Sequence, residues 1–481
     1  MKGRVWVLSG VMTLASAGGA ARIEAQGRLV GTVYDSVAAK PLSAAFVQLA
    51  LVSDPSVSRS VRADDRGRFR VDSMAAGTWV MAVMHPRIDS LGIEQLARPV
   101  TTRGAGEQRM NLSIPSARSL MREVCGDTVI ADGSGYVHGR LRRVAGSGVS
   151  SGTSESAARG QVEVQWVDMM VSVTKGVGVT RVPRRTATVA QADGAFTVCG
   201  VPAGGTVRVR GAHGTDTTGM IEMVVPEHGI ARLDLTVGTV SHVDVDSVPM
   251  RRGQGVLRGR ILGPLGQPLP NASAGVWGTG LTARTDSSGY WQLRQLPMGT
   301  HTVDIRAIGF QAEQHIVDIG DLADHELHST LERMVTLDTV RTRALREQLF
   351  VPEIRAFEQR RRTGHGSFRG PAEVDQIMPS EAAHLFRTVP GVRVIPDMRS
   401  SLMLGYRILM RGGAAGASCV PDLIIDRVRI ANDLHEGLID DWVLFSQVRA
   451  VEVYQAITGT PPEFMRAGNQ CGTIVIWTGR R

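Results

Sequence analysis

Through most of the chain, apolar and polar residues alternate with a period of two, in short runs broken by Gly, Pro and Asp. That pattern predicts many short strands joined by turns. Three stretches repeat it in the same order. The first reads GRLVGTVYDSVAAKPLSAAFVQLA and then ADDRGRFRVDSMAAGTWVMAV. The second reads GYVHGRLRRVAGSGV and then ADGAFTVCGVPAGGTVRVRGA. The third reads GVLRGRILGPLGQPLPNASAGVW and then TDSSGYWQLRQLPMGTHTVDIRAIGF. In each, an Asp shortly precedes Gly67, Gly194 or Gly289, and an aromatic follows at Phe69, Phe196 or Trp291. A second turn glycine comes ten residues after the first, at Gly77, Gly204 and Gly299.

Glycine tolerates positive φ and Asp bonds the turn backbone, so each Asp–Gly pair predicts a chain reversal. Alternating residues such as Phe69-Arg70-Val71 and Trp291-Gln292-Leu293 then form a strand. A corner such as Val201-Pro202-Ala203-Gly204 turns the chain again, and Thr206 to Arg210 alternates as the next strand. Short strands at regular turn spacing predict β-sandwiches. Segment 146–160 is rich in Gly, Ser and Ala and reads as a surface loop.

From about Arg333 the pattern changes. Val335-Thr336-Leu337-Asp338-Thr339-Val340 is a short extended stretch. Arg341 to Arg362 is helix-prone and basic, interrupted by Pro352, and densest at Arg360-Arg361-Arg362. Acids are interspersed at Glu347, Glu353 and Glu358, so this segment reads as a solvated helix face rather than a phosphate-binding patch. Ser380 and Glu381 fit the start of a helix that carries Leu385 and Val389 and stops at Pro390-Gly391. Strands follow at Val392–Ile395, Tyr406–Met410, Leu423–Asp426, Val448–Tyr454 and Ile474–Trp477, with helix and loop over Leu434–Val443. Strands interspersed with helices predict a small α+β domain.

Length and composition narrow the class. The 481 residues leave room for roughly three or four domains. Aromatics make up only 5% while glycines number 55, a mix that suits strands and turns. The formal net charge of +8 is almost all arginine, since lysine occurs only at Lys2, Lys40 and Lys175. No nucleic-acid module motif accompanies it. Downstream of the start no apolar run is long enough for a polytopic membrane protein. Met1, Lys2 and Arg4 followed by apolar Val5–Ala17 and small residues read as an export signal over residues 1–25, with a mature start near Gln26 or Gly27. Four cysteines remain: Cys125, Cys199, Cys419 and Cys471. None has CxxC spacing, which disfavours zinc. An even number in an exported chain points to two disulfides. Three pairings are formally open, and Cys125–Cys199 with Cys419–Cys471 keeps each pair within one segment.

The repeated block resembles the carboxypeptidase regulatory-like domain, a prealbumin-like β-sandwich. The residues that carry the resemblance are the openings Gly31-Thr32-Val33, Gly139-Arg140-Leu141 and Gly259-Arg260-Ile261, the Asp…Gly-aromatic turn and the Pro-x-Gly corner, where the first copy has Ala75-Ala76 instead. The resemblance implies accessory modules, often placed ahead of outer-membrane receptors, and no peptidase. The C-terminal order of Leu385–Val392, Arg407–Gly412, Ile424-Ile425-Asp426, Val451–Tyr454 and Cys471–Thr478 looks like the plug domain of TonB-dependent outer-membrane receptors. Arg427 stands where that family has glycine. Val335 to Val340 is similar to the energiser-coupling segment ahead of such plugs, which would act by adding a strand to a partner sheet. A transmembrane barrel needs many more lipid-facing strands than remain to be assigned after the plug-like domain.

The expected architecture is mainly β, with three tandem β-sandwich modules plus a C-terminal small α+β plug-like domain. Its parts are a signal at 1–25, sandwiches at 26–118, 119–248 and 249–333, a linker at 334–369 with the energiser-box-like strand and basic helix, and the plug-like domain at 370–481. Chemically suggestive residues have structural readings. His325 and His328 lack a third ligand, Gly412–Gly416 lacks the Lys-Ser/Thr ending of a phosphate loop, and Asp64, Asp65, Asp193 and Asp286 are accounted for by turns. No catalytic motif, metal site or cofactor is called for. The reading is an exported, non-enzymatic envelope protein, in the periplasm or at the outer membrane of a Gram-negative-type bacterium. Its partner would be an outer-membrane barrel or a TonB-type energiser. A carbohydrate- or protein-binding scaffold without a transport role is the alternative, and an enzyme with accessory modules a distant third.

Overall fold

The repeated block of sequence is a repeated set of strand pairings. The structure, a computed structural model, describes residues 27–479 apart from 94–95, 128–132, 145–153, 173–177, 246–247, 321–325, 334–350, 377–381, 398–404, 412–417, 431–437, 456–458, 467 and 469–470. The expected export signal, the segment Val335–Val340, Ser380, Glu381, His325 and the glycine loop 412–416 therefore lie outside the described residues. The protein is mainly β.

The opening strands Gly27–Asp35, Ser134–Val144 and Gly255–Leu262 each pair antiparallel with the strand after the Asp–Gly turn, which is Arg68–Met74, Ala195–Pro202 or Tyr290–Leu296. Each also pairs in parallel with later strands: Glu107–Arg109 and Leu112–Ile114, then Ile230–Arg232 and Leu235–Val237, then Glu326–Thr330. Across the antiparallel ladder the opening glycine faces the aromatic every time. Gly31 lies opposite Phe69, Gly139 opposite Phe196, and Gly259 opposite Trp291.

Steric crowding explains the two glycines of the signature. A Cβ on Gly31, Gly139 or Gly259 would overlap the carbonyl oxygen of Met110, Leu233 or Leu327 on the parallel side. The turn glycines Gly67, Gly194 and Gly289 have φ of 70°, 83° and 75°, a region that side chains disfavour. Asp64 accepts the backbone N–H of Arg66 and Arg68, and Asp286 those of Ser288 and Tyr290. In the second copy Gln191 opens the turn and Asp193 accepts from Ala195 instead. Gly259→Ala is expected to lower stability by about 3 kcal/mol, the upper end of the cost of overpacking, because backbone rather than a flexible side chain must move. An unchanged melting temperature would remove the crowding argument.

The second sheet of each copy closes a core. In the first copy the order is Asp54–Arg62, Phe46–Leu51, Gly77–Met84, Leu96–Thr102. Leu29, Val33, Val47, Leu49, Phe69 and Trp79 are buried there. In the second, the hairpin Gln161–Ser172 and Gly178–Val189 joins Thr206–His213 and Ile221–Val224 over Val162, Val164, Phe196, Val207 and Val209. In the third, Gly299–Arg306 lies between Ser273–Val276 and Glu313–Ile319 over Trp291, Val303 and Ile305.

The chain divides into two compact units, one ending at Ser116 and the other running from Ala117. The second unit holds the second and third sandwiches together with the C-terminal domain. Within it, Val237 pairs with Gly299, so one sheet runs from the second copy into the third.

The C-terminal domain is a mixed five-stranded sheet in the order Ser367–Arg369, Val448–Tyr454, Thr473–Thr478, Asp422–Ile425, Val428–Arg429. Period-two alternation makes it apolar on both faces. Val451, Val453, Ile474 and Ile476 face one core with Leu385, Phe386 and Ile408, while Ala450, Tyr454, Val475 and Trp477 face another with Phe357 and Phe464. One helical expectation is corrected, around Leu385. Of the segment expected to be helical over Arg341–Arg362, the described part is the helix Val351–Thr363, and the residues before Val351 lie outside the described residues. Around Leu385 the chain forms a 3-10 helix, Ala382–Phe386, followed by a turn. The helix expected within Leu434–Val443 is the short Ile439–Trp442. Among the described residues no helix is long and apolar enough to cross a membrane.

Candidate functional site

The basic helix is where the structure departs most from expectation. Arg360 is not on a solvated face: it reaches a Glu452 carboxylate with no exposure at all. Its Nε donates to Glu452 Oε2 at 2.9 Å and its Nη2 to Oε1 at 2.7 Å. Trp477 Nε1 and Tyr454 Oη donate to the same carboxylate at 2.6 and 2.5 Å. The guanidinium lies over the rings of Phe464 and Trp477 and also reaches Glu463 at 3.0 Å. Burial pulls the Arg360 pKa down, but hydrogen bonds and charge from Glu452 outweigh it and leave it above its ordinary value. Arg361 pairs with Glu373. This network clamps the helix to the sheet and offers no open position for a ligand.

A second polar cluster joins the second sandwich to the C-terminal domain. The face of Gln161–Ser172 and Thr206–His213 turned away from the sandwich core carries Glu163, Gln165, Arg208 and Arg210, all buried. Arg208 Nη2 donates to the Asp440 carbonyl, and Ser446 donates to Glu222. Arg181 Nη2 donates to Asp426 Oδ2 at 2.5 Å, and Asp426 also accepts from the Thr478 backbone at 2.7 Å. Met250, from the hairpin between the two sandwiches, enters the apolar core of the C-terminal domain. Asp440 Oδ1 accepts from Ala382 N at 2.5 Å, while its Oδ2 has no hydrogen-bond partner among the described residues.

Burial, opposed by Arg208 and by the Ala382 N–H, pushes the Asp440 carboxyl up to about 6. A folded-state pKa above the unfolded value near 4 penalises the charged form. Stability should therefore rise as pH falls from 7 towards 4, by an amount on the order of 2–3 kcal/mol. Thermal unfolding of the full chain should show this slope, and Asp440→Asn should flatten it. An equally steep profile in the variant would move the cause to other groups.

One constellation looks catalytic. His315 Nε2 lies 3.1 Å from Glu313 Oε2 and 3.3 Å from Ser329 Oγ, and Ser329 Oγ donates to Glu313 Oε2 at 2.6 Å. A triad needs the acid on one ring nitrogen and the nucleophile on the other. Here the same nitrogen faces both, and the serine proton is held by the carboxylate. His328 lies 3.4 Å from Glu326. Among the described residues no group of three or more metal-ligating side chains converges.

Disulfides join Cys125 to Cys199 and Cys419 to Cys471. The first ties the helix Ala117–Cys125 to the strand Ala195–Pro202, and the second ties two parts of the C-terminal domain.

The first unit carries an open groove of about 450 Å³ on the outer face of its four-stranded sheet. Phe46 and Met84 form its floor and are 45% and 50% exposed. Sequence reasoning passed over Phe46 as an ordinary strand residue. The available signal was its phase, since it alternates with buried Val47 and so points outward.

The glycine-opened strand, the aromatic opposite it and the parallel closing strand are clearest in the third sandwich. Residues 256–332 match the family model of the carboxypeptidase regulatory-like domain. The first two sandwiches repeat its strand pairings. No curated protein matches the chain. Similar solved structures include the TIE protein of Bacillus anthracis, 12% identical, covering 64% of this chain and 51% of that one at a TM-score of 0.19. The chain thus spans about half the length of that protein. The major pilin subunit BcpA of Bacillus cereus is 10% identical, covering 64% of this chain and 99% of that one at 0.20. The minor pilin GBS52 of Streptococcus agalactiae is 9% identical, covering 43% and 100% at 0.17. At these scores the likeness carries no argument about function.

Proposed function

We propose that the protein is an exported, non-enzymatic binding or scaffold protein of the cell envelope. The observation that carries this reading is how each sandwich uses its recurring residues: the glycines, the turn acids and the aromatic all serve chain reversal, close strand approach or core filling, which leaves outward faces to vary. Two disulfides and the positively charged, apolar start of the chain support export. The polar Arg181–Asp426 and Arg208–Asp440 contacts support a scaffold in which the second sandwich and the C-terminal domain are joined. Incubation of the purified full chain with isolated envelopes should deposit it in the pellet, and peptide substrates should be returned uncut. Peptide cleavage that disappears in Ser329→Ala would overturn the non-enzymatic reading.

A second reading gives the C-terminal domain a plug-like role beside an outer-membrane barrel or a TonB-type energiser. It is favoured by one arrangement: three of the segments whose order resembles a plug fall on Asp422–Ile425, Val448–Tyr454 and Thr473–Thr478, which form one sheet, while Gly405–Arg411 belongs to a separate one. Recovery of a barrel with the full chain from detergent extracts of its own envelope would support it, and recovery of none would count against it.

A further inference from the structure

The floor of the groove in the first sandwich sets an exposed aromatic ring beside an exposed methionine. Trp79, Trp291 and Trp477 are each at most 1% exposed, whereas Phe46 and Met84 stand open to solvent on one sheet face. Phe46 lies directly opposite Arg62 on one neighbouring strand and Met84 on the other. Residues directly opposite share a face, so Arg62, Phe46 and Met84 form one outward row at the end of the sheet. Beyond Met84 the chain turns through His85 and Pro86 into a short helix that brings Asp89 to the rim. We propose that this groove binds one sugar ring of a glycan, with the Phe46 ring beneath the apolar face of the pyranose and Arg62, His85 and Asp89 around its hydroxyls. The inference rests on the binding reading above and names its site.

Three features select this ligand class. The first is the mixed rim. Hydroxyls both donate and accept, and the rim supplies both roles. Among the described residues no ion pair holds the Arg62 guanidinium. His85 Nδ1 accepts the Arg87 N–H at 3.0 Å, so the neutral ring carries its proton on Nε2 and can donate there. Asp89 supplies the acceptor. The second is size. About 450 Å³ falls within the range of small-molecule sites, while an apolar floor of Phe46, Met84 and Pro86 is far short of the roughly 800 Å² per partner of a stable protein interface. The third is the backbone. Phe46–Leu51 is already paired on both sides, with Asp54–Arg62 and Gly77–Met84. A ligand over Phe46 therefore meets its ring and not a free main chain, while the outer edge of the sheet belongs to Asp54–Arg62, which is paired on one side only among the described residues. A charged rim disfavours a lipid chain.

The test is titration calorimetry of the full chain with maltose, cellobiose and chitobiose as probes. At least one should bind, and Phe46→Ala should weaken that binding roughly 10-fold, the value of an aromatic contact of this kind. Phe46→Trp should retain or tighten it, and Arg62→Ala should weaken it severalfold. Phe46 is exposed, so Phe46→Ala should leave the melting temperature unchanged. Absence of binding by all three probes, or binding that Phe46→Ala leaves intact, overturns the sugar site. The envelope-pelleting experiment is independent of these probes. If pelleting persists while the sugars fail, the site falls and the binding reading stands; if pelleting fails while a sugar binds through Phe46, the reverse holds for the envelope role.

Discussion

Arg360→Ala is expected to destabilise the C-terminal domain by about 3 kcal/mol, a loss typical of breaking a buried ion pair from one side. The reason lies in what stays behind. Glu452 is fully buried, and removal of the guanidinium strips it of two of the four hydrogen bonds, and of the one cation, that reach it among the described residues. Tyr454 and Trp477 still donate to it, which is why the figure stands at the low end of the range for such losses. The same change removes a cation from above Phe464 and Trp477. Glu452→Gln should also be costly, since the amide NH2 would face a donor. Replacing both partners by apolar residues should recover part of the loss, because no charge is then left unpaired. Urea unfolding followed through tryptophan emission can compare the single and double variants. A single-variant loss below about 1 kcal/mol would mean that the pair behaves as an exposed one.

The same network shows where sequence reading stops. Arg360-Arg361-Arg362 with glutamates nearby has the local look of a solvated helix face, and for Arg361, paired with Glu373 near the surface, that look is close to correct. Arg360 differs only because Glu452, far along the chain, occupies an inward position between Ala450 and Tyr454 on the strand beneath it. No local pattern carries that information. The repeat was legible for the opposite reason. Its glycines and turn acids answer to the strand beside them and to positive φ, which are constraints that recur wherever the same pairing recurs. Arg427 marks an intermediate case. It occupies a turn with Asp426 at φ of 67° and 49°, a region that glycine enters most readily, and neither side chain announces that conformation in the local pattern. The joining of the second sandwich to the C-terminal domain was hidden because Glu163, Gln165 and Arg208 alternate with core valines in the ordinary way. Alternation tells which face is turned away from the sandwich core, and it does not tell whether water or another domain covers that face.

Loss of either disulfide should weaken the protein about as much as loss of the Arg360 pair. Cys125 and Cys199 are 74 residues apart, and Cys419 and Cys471 are 52 apart. Loops of that length correspond to about 4 kcal/mol each in the chain-entropy model, since the cross-link restricts the unfolded chain. The two bonds should nonetheless behave differently. The first fastens the exposed helix Ala117–Cys125, which buries only Leu120 among its residues, to a strand that the rest of the sandwich already holds. Its removal acts on the unfolded chain and should leave native contacts nearly unchanged. Cys471 belongs to the apolar core of the C-terminal domain, and Cys419 packs against that core. Removal of that bond also opens a gap in packing, so Cys419→Ala with Cys471→Ala should cost more than the corresponding pair at 125 and 199. Calorimetry of the two double variants under identical conditions decides the order. If the 125–199 variant proves the weaker protein, chain entropy alone governs both bonds, and the packing of Cys471 contributes nothing measurable.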